Sequence, residues 1–247
     1  MININYINAI LLILIYVHIG MSIYSIYIHR GLSHGAVKFD QKVIAVFRCW
    51  LWLFGTLANR YRIASHKLHH KYSDTNRDVN GPKMLGIVNI LLIKPITRFA
   101  GIFSAAFSKS TFVVNLELEQ IVDKTPDTGI FYKCIKWGIW INLIIHIILF
   151  GWIGLAIWLV MMFLAQWLAF AFGDGIIHLW GYRNFPTDDC SKNVVPLGIL
   201  LGGEELHNNH HRYPYLAKFN AKWWEVDIGW LYICVLEKLK LAQVHNK

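Results

Sequence analysis

The chain has 247 residues, 55% hydrophobic and only 16% charged, a balance outside the norm of soluble globular domains that calls for long apolar stretches. Its 24 Lys and Arg against 15 Asp and Glu give a formal charge of +9. The basic residues flank apolar runs instead of forming a stripe, which argues against nucleic acid and for anionic lipid, a phosphate-bearing substrate or an acidic partner. Cys49, Cys134, Cys190 and Cys234 form no C-x-x-C pair, so no disulfide framework or thiolate metal site is indicated, and a reducing compartment fits.

Residues 6–28 contain no Lys, Arg, Asp or Glu, and at about 1.5 Å per residue they are long enough to cross a hydrocarbon core of roughly 30 Å. They read as a first span. No basic residue precedes the run and no small-residue cleavage site clearly ends it, which speaks against a removable signal peptide. Residues 43–58 are apolar but short and carry Arg48, so they predict an interfacial or re-entrant helix. Residues 71–130 read as a mixed amphipathic cytoplasmic insert, broken by Pro82, Pro95 and Pro126. Residues 137–173 carry no charge and would be about 55 Å long as one helix. They must fold back as a hairpin, with Gly151 and Gly154 the natural turn. Residues 174–247 are polar enough to form a cap with the insert. No Lys or Arg precedes the first span, whereas Arg30, Lys38 and Lys42 follow it, which sets the basic side in the cytoplasm. The expectation is an all-α, multi-pass integral membrane protein forming a single domain over 1–247. About three transmembrane helices, plus interfacial or re-entrant ones, would carry a cytoplasmic helical cap.

Twelve histidines are the compositional anomaly, and their spacing explains them. "HRGLSH" holds His29 and His34, "HKLHH" holds His66, His69 and His70, and "HNNHH" holds His207, His210 and His211, while His178 stands apart in "GDGIIHLWGYRNF". On a helix, positions i, i+3 and i+4 fall within about 100° of arc, so each H-x-x-H-H offers three imidazoles from one face. His29 and His34 lie about 140° apart on an ideal α-helix and need a frayed end or a turn to converge. His18 and His146, lone in apolar runs, read as ordinary packed or hydrogen-bonded residues. If residues 43–58 do not cross and 137–173 fold back, all three clusters and His178 share one membrane face. Nine imidazoles exceed the need of one ion, and structural zinc closes with four ligands, so two metals are implied. Imidazole suits iron, copper, nickel or zinc. With no cysteine or methionine cluster beside the histidines, redox iron acting with oxygen on an apolar substrate is the favoured chemistry.

From "HRGLSH" through "HKLHH" and "HLWGYRNF" to "GGEELHNNHHRYP" and "KWWEVDIGWLY", the chain resembles the membrane fatty acyl-CoA desaturases, the stearoyl-CoA desaturase-like family, and within it the bacterial branch. The resemblance implies that His29, His34, His66, His69, His70, His178, His207, His210 and His211 bind two iron ions. It also implies O2-dependent insertion of a double bond into a long-chain fatty acyl thioester, with acyl-CoA the expected carrier, at the cytoplasmic face of a bacterial inner membrane. Two departures stand out. Where the family usually has Asn four residues before the lone His, this chain has Asp174, a further ligand or a group that orients an imidazole. After box two the family often reads Asp-Pro-His, and here Asp78, Val79 and Asn80 stand instead.

Arg60, Arg62 and Arg183 are headgroup candidates because guanidinium suits phosphate, set against snorkelling or loop roles. Glu204 and Glu205 either accept N–H bonds from ligand imidazoles or begin the box-three helix. No flavin, haem or iron–sulfur motif is evident, so electrons are expected from a separate donor, ferredoxin-like or cytochrome b5-like with its reductase. A hydroxylase or related oxygenase is the nearest rival and a non-enzymatic membrane metal carrier the next. The absence of H-E-x-x-H disfavours a metalloprotease.

Overall fold

The computed structural model describes residues 2, 4–55, 60–101, 116–123 and 134–245. Residues 56–58 of the expected interfacial segment and much of the 71–130 insert, Pro126 included, lie outside the described residues. The described chain is mostly helical. Helix α1 runs Tyr6–Ser33 and α8 runs Trp152–Leu179, and these two are long and apolar enough to cross a membrane. Between them lie β1 (Val37–Phe39), α2 (Gln41–Phe54), α3 (Arg60–Tyr72) and α4 (Pro82–Leu85). They are followed by α5 (Lys94–Gly101), α6 (Leu116–Asp123) and α7 (Ile135–Phe150). After α8 come β2 (Leu197–Gly198), α9 (His207–Arg212), β3 (Val226–Asp227), α10 (Ile228–Lys238) and β4 (Ala242–Val244).

Local chemistry sets these boundaries. Asn5 caps α1 by accepting from the backbone N–H of Asn8 at 2.9 Å, and Asp40 caps α2 by accepting from Lys42 N at 2.8 Å. Val43, Phe47, Leu51 and Phe54 give α2 one buried stripe, and Gly55 ends it in the left-handed region at φ 71°. At about 1.5 Å per residue α2 spans only about 21 Å, short of a bilayer core. The chain turns at Gly151 between α7 and α8, which pack so closely that a side chain at Gly154 would strike the backbone of His146.

Outward faces are apolar. Ile7, Ile10, Leu14 and Ile15 on α1, and Ile148, Trp152 and Val160 on the α7–α8 pair, remain exposed. Such a surface is a liability in water and fits a membrane protein. Farther along, α1 turns inward: Val17 and Met21 pack with Phe54, Trp158, Met161 and Met162 in one core cluster. A second cluster joins Ile26 and Tyr27 of α1 to Phe39, Phe47 and Leu51.

The segment after α8 returns to the end of α1. β4 pairs antiparallel with β1, Val37 opposite Val244, and β2 pairs parallel with β3. Arg30, fully buried, donates to Gly202 O at 2.8 Å, Asp227 Oδ1 at 3.0 Å and Ala217 O at 3.0 Å, and its guanidinium lies 3.8 Å from the Phe219 ring centre. Gly203, at φ 100°, lets the backbone pass against Asp227 and the Arg30 guanidinium where no side chain fits. The end of α1 and the segment after α8 are thereby locked around one place, where the histidines meet.

Candidate metal centre

Each histidine cluster reaches the centre by a different local device. The end of α1, Tyr24–Ser33, is π-helical, and His34 N donates to His29 O, five residues back, at 3.1 Å. Widening the helix to i→i+5 bonds aligns residues five apart. It solves the 140° problem of an α-helical His29–His34 pair, and the two ring centres lie 5.0 Å apart. Box two sits on the regular helix α3, as its i, i+3, i+4 spacing requires. Box three sits on α9, a helix of 6 residues too short to hold on propensity. Asparagines hold it instead: Asn193 Oδ1 accepts from Asn208 N at 2.9 Å, and Asn209 Nδ2 donates to Glu225 Oε2 at 2.9 Å.

The result is two groups of histidines whose nitrogens lie within 4.8 Å of one another, His29, His34, His66, His70 and His210 in one and His69, His178, His207 and His211 in the other. The groups adjoin, with the rings of His70 and His211 stacked at 4.4 Å. Four carboxylates stand behind the rings. Nδ1–H of His29 donates to Glu204 at 2.7 Å, of His69 to Asp78 at 2.9 Å, of His178 to Asp74 at 2.8 Å and of His211 to Asp189 at 2.6 Å. An ionised carboxylate only accepts, so it fixes the proton on Nδ1 and leaves Nε2 as a bare lone pair. The Nε2 atoms of His29 and His178 point at other Nε2 atoms, those of His210 at 2.9 Å and His207 at 3.1 Å, and two further Nε2 pairs meet the same way, His34 with His66 at 2.8 Å and His70 with His210 at 3.0 Å.

Converging lone pairs repel unless a cation lies among them, and a buried nitrogen without a partner carries a desolvation cost. Nε2 of His211 and Nδ1 of His207 and His210 have no hydrogen-bond partner among the described residues. Burial, followed by neighbouring imidazoles, holds His66, His70, His207 and His210 well below the usual histidine pKa, and His211 is pushed down to about 4, burial the leading cause. These five rings are held neutral at ordinary pH, the state a metal requires, whereas for His69 burial is outweighed by the hydrogen bond and charge of Asp78, which raise it above the usual histidine value. Asp74, Asp78 and Glu204 remain ionised despite burial because of their histidine partners and backbone or side-chain donors. The donor set, all imidazole nitrogen with carboxylates behind, fits a pair of borderline transition-metal ions.

Residues 6–227 match the sequence model of the fatty acid desaturase family. The chain belongs to the fatty acid desaturase family. It is 30% identical over 226 residues to a probable chloroplastic lipid desaturase of Arabidopsis thaliana, covering 87% of this chain and 57% of that one. It is 28% identical to the sn-1 stearoyl-lipid 9-desaturase of Synechocystis sp. (87% of this chain, 64% of that one) and 27% identical to the acyl-CoA C20 Delta5-desaturase of Anemone leveillei (87% and 66%). The chain spans between about half and two thirds of the length of these three relatives.

Some residues singled out by sequence lie apart from the histidine groups. Asp174, expected as a further ligand or as a group that orients an imidazole, belongs to neither: Arg62 takes both its oxygens at 2.9 and 3.1 Å, and Lys94 donates at 3.1 Å. Arg62, expected at a headgroup, is committed to that pair and to Tyr24 Oη at 2.7 Å. Arg60 donates to Asp123 O at 3.1 Å, and the exposed Arg183 folds onto Thr187 at 2.6 Å. Glu204 meets an imidazole, whereas Glu205 accepts from Leu201 N at 2.9 Å. His18 binds Tyr232 Oη and His146 binds Asn142 O. The sequence reading missed Asp74 and Asp189 and gave Asp78 no role at the histidines. Asp74 is 104 positions from His178 and Asp189 is 22 from His211, both beyond local pattern.

A cavity of about 40 Å³ touches both groups, lined by His29, His66 and His207 together with Met21, Ile28 and Leu168. It has room for a few water-sized groups and not for a whole fatty chain.

Proposed function

We propose that this protein is an O2-dependent fatty acyl desaturase whose two histidine groups each hold one iron ion, five imidazoles to one and four to the other. The observation that carries the reading is the joint placement of both groups against a tight apolar cavity in a chain of this family. Iron with O2 supplies what side-chain acids and bases lack, the power to take hydrogen from an unactivated methylene pair.

The chain's own residues do the rest. Glu204, Asp74, Asp78 and Asp189 set the tautomer and aim of four rings, so the ligands are ready before metal arrives. Met21, Ile28, Leu168 and Leu201 form the cavity's apolar wall, which excludes water and admits only a few chain atoms at a time. A small misplacement of the reacting carbons costs orders of magnitude in rate, so this tightness selects one carbon pair. The Arg62–Asp174 pair positions metal-bearing helices: each partner sits four residues, one helical turn, before a histidine, His66 on α3 and His178 on α8.

We place α1 and the α7–α8 hairpin in the bilayer, with the centre at the cytoplasmic face and electrons arriving from a separate acidic carrier steered by the +9 chain. Acyl-CoA, the carrier implied by resemblance, competes with lipid-borne chains, because relatives of both descriptions match. Arg183 stays the headgroup candidate best placed by exposure.

The test is expression in a host with saturated lipids, followed by mass spectrometry of its fatty acids, alongside a His66→Ala, His210→Ala variant. A product two mass units lighter, made only by the intact chain, supports desaturation. A gain of one oxygen favours a hydroxylase, and no product with no O2 uptake in iron-loaded protein overturns both.

A further inference from the structure

Next to the metal cavity lies a wider depression that the reading above leaves without a role. It is an open groove of about 580 Å³, within the range of ligand sites. Leu14 and Ile15 of α1 form one bank, Phe172 of α8 and the apolar segment 194–200 the other, and the buried Glu205 also lines it. The α1 bank is continuous with the exposed apolar face of that helix. On the other bank Leu197, Ile199 and Leu200 are 52%, 44% and 44% exposed, on a loop with no span of its own. A run of half-exposed aliphatic residues beside a membrane helix is matched by lipid and not by water.

Groove and cavity are lined by adjoining residues of the same segments. Phe172, Leu200 and Glu205 line the groove, while their chain neighbours Gly173, Leu201 and Glu204 line the cavity. Gly173 contributes no side chain to that boundary, and a Cβ there would meet only the backbone oxygen of Leu168, at 3.5 Å. Glu205 Oε1 staples the turn through Leu201 N at 2.9 Å, and its Oε2 has no hydrogen-bond partner among the described residues. The partition is therefore made of Phe172, Leu200 and the core-packed Leu201, and Gly173 leaves it without a side chain at one point.

We infer that the groove is a lateral portal: it takes an acyl chain of a bilayer glycerolipid from the membrane and passes it over Gly173 and Leu201 into the cavity that touches both histidine groups. This rests on the desaturase reading and assigns the substrate to lipid-borne chains. An acyl chain fits because it asks for no polar partner along the groove, and because its source is the lipid that α1 itself faces.

The experiment uses the iron-loaded full chain in nanodiscs whose phosphatidylglycerol carries a diazirine at mid-chain on a saturated acyl group, with photo-adducts mapped by peptide mass spectrometry. Adducts should concentrate in the peptides holding 14–18 and 194–200, and Ile199→Trp and Ile15→Trp, both at exposed positions, should sharply reduce them. In the same variants desaturation of lipid-borne chains should fall about tenfold or more, with iron content unchanged. Adducts spread over α1, α7 and α8 without enrichment in the groove, or wild-type lipid turnover in both variants, would overturn the portal. If a variant loses iron, the adduct map of the wild-type chain decides alone. Wild-type protein that desaturates no substrate would sink the desaturase reading, while the adducts would still report on the groove.

Discussion

Asp189→Ala isolates one carboxylate behind one ligand. Asp189 accepts from His211 Nδ1 at 2.6 Å, Thr187 Oγ1 at 2.7 Å and Ser191 N at 3.0 Å. It is the acceptor that leaves His211 Nε2 bare toward the four-histidine group. A hydrogen bond to a charged group is worth about 1.5–3 kcal/mol. Independently, losing such a partner weakens metal binding about 10–100-fold, or about 1.4–2.8 kcal/mol, so the two routes agree. Dialysis against graded chelator with metal analysis should show one of two iron equivalents released at about 10–100-fold lower chelator, the other unmoved. Asn, which keeps the shape and one acceptor oxygen, should shift it less. Equal loss of both irons, or none, in the Ala variant would refute the division into two sites and the role given to Asp189.

Further outcomes follow from the same geometry. Asp174→Asn should destabilise the protein by about 3–5 kcal/mol, because it strands a buried guanidinium, with partial recovery in Arg62→Gln, Asp174→Asn. Iron should stay at two per chain in whatever folds, and loss of one iron would restore Asp174 as a ligand. For chelator-stripped protein, the depressed histidines bind fewer protons folded than unfolded. Melting temperature should therefore fall as pH drops from about 6.5 toward the value of about 4 held by His211; a flat profile there would contradict neutral, buried rings. Gly203→Ala should fold poorly, since its φ of 100° and the Arg30–Asp227 contact leave no place for a side chain. Wild-type melting in that variant would contradict the close passage.

The histidine centre was legible because its spacing is local where helices are regular: H-x-x-H-H states its face outright, and two such boxes with one more pair already imply two ions. His29 and His34 were ambiguous, because the π-helical end of α1 that aligns them follows from packing and not from a five-residue spacing. The four carboxylates were mostly hidden, since Asp189 and His211 are neighbours only through the fold. The partners of Asp174 were hidden for a related reason: Arg62 and Lys94, from α3 and α5, reach it only through the fold. Nothing in the spacing of "HNNHH" singles out its asparagines, yet Asn208 and Asn209 hold a 6-residue helix in place.

Diffraction from metal-loaded crystals on either side of the iron absorption edge addresses the central claim most directly. Two anomalous peaks are expected, one among His29, His34, His66, His70 and His210 and one among His69, His178, His207 and His211. A single peak, or iron bound anywhere else, would contradict it.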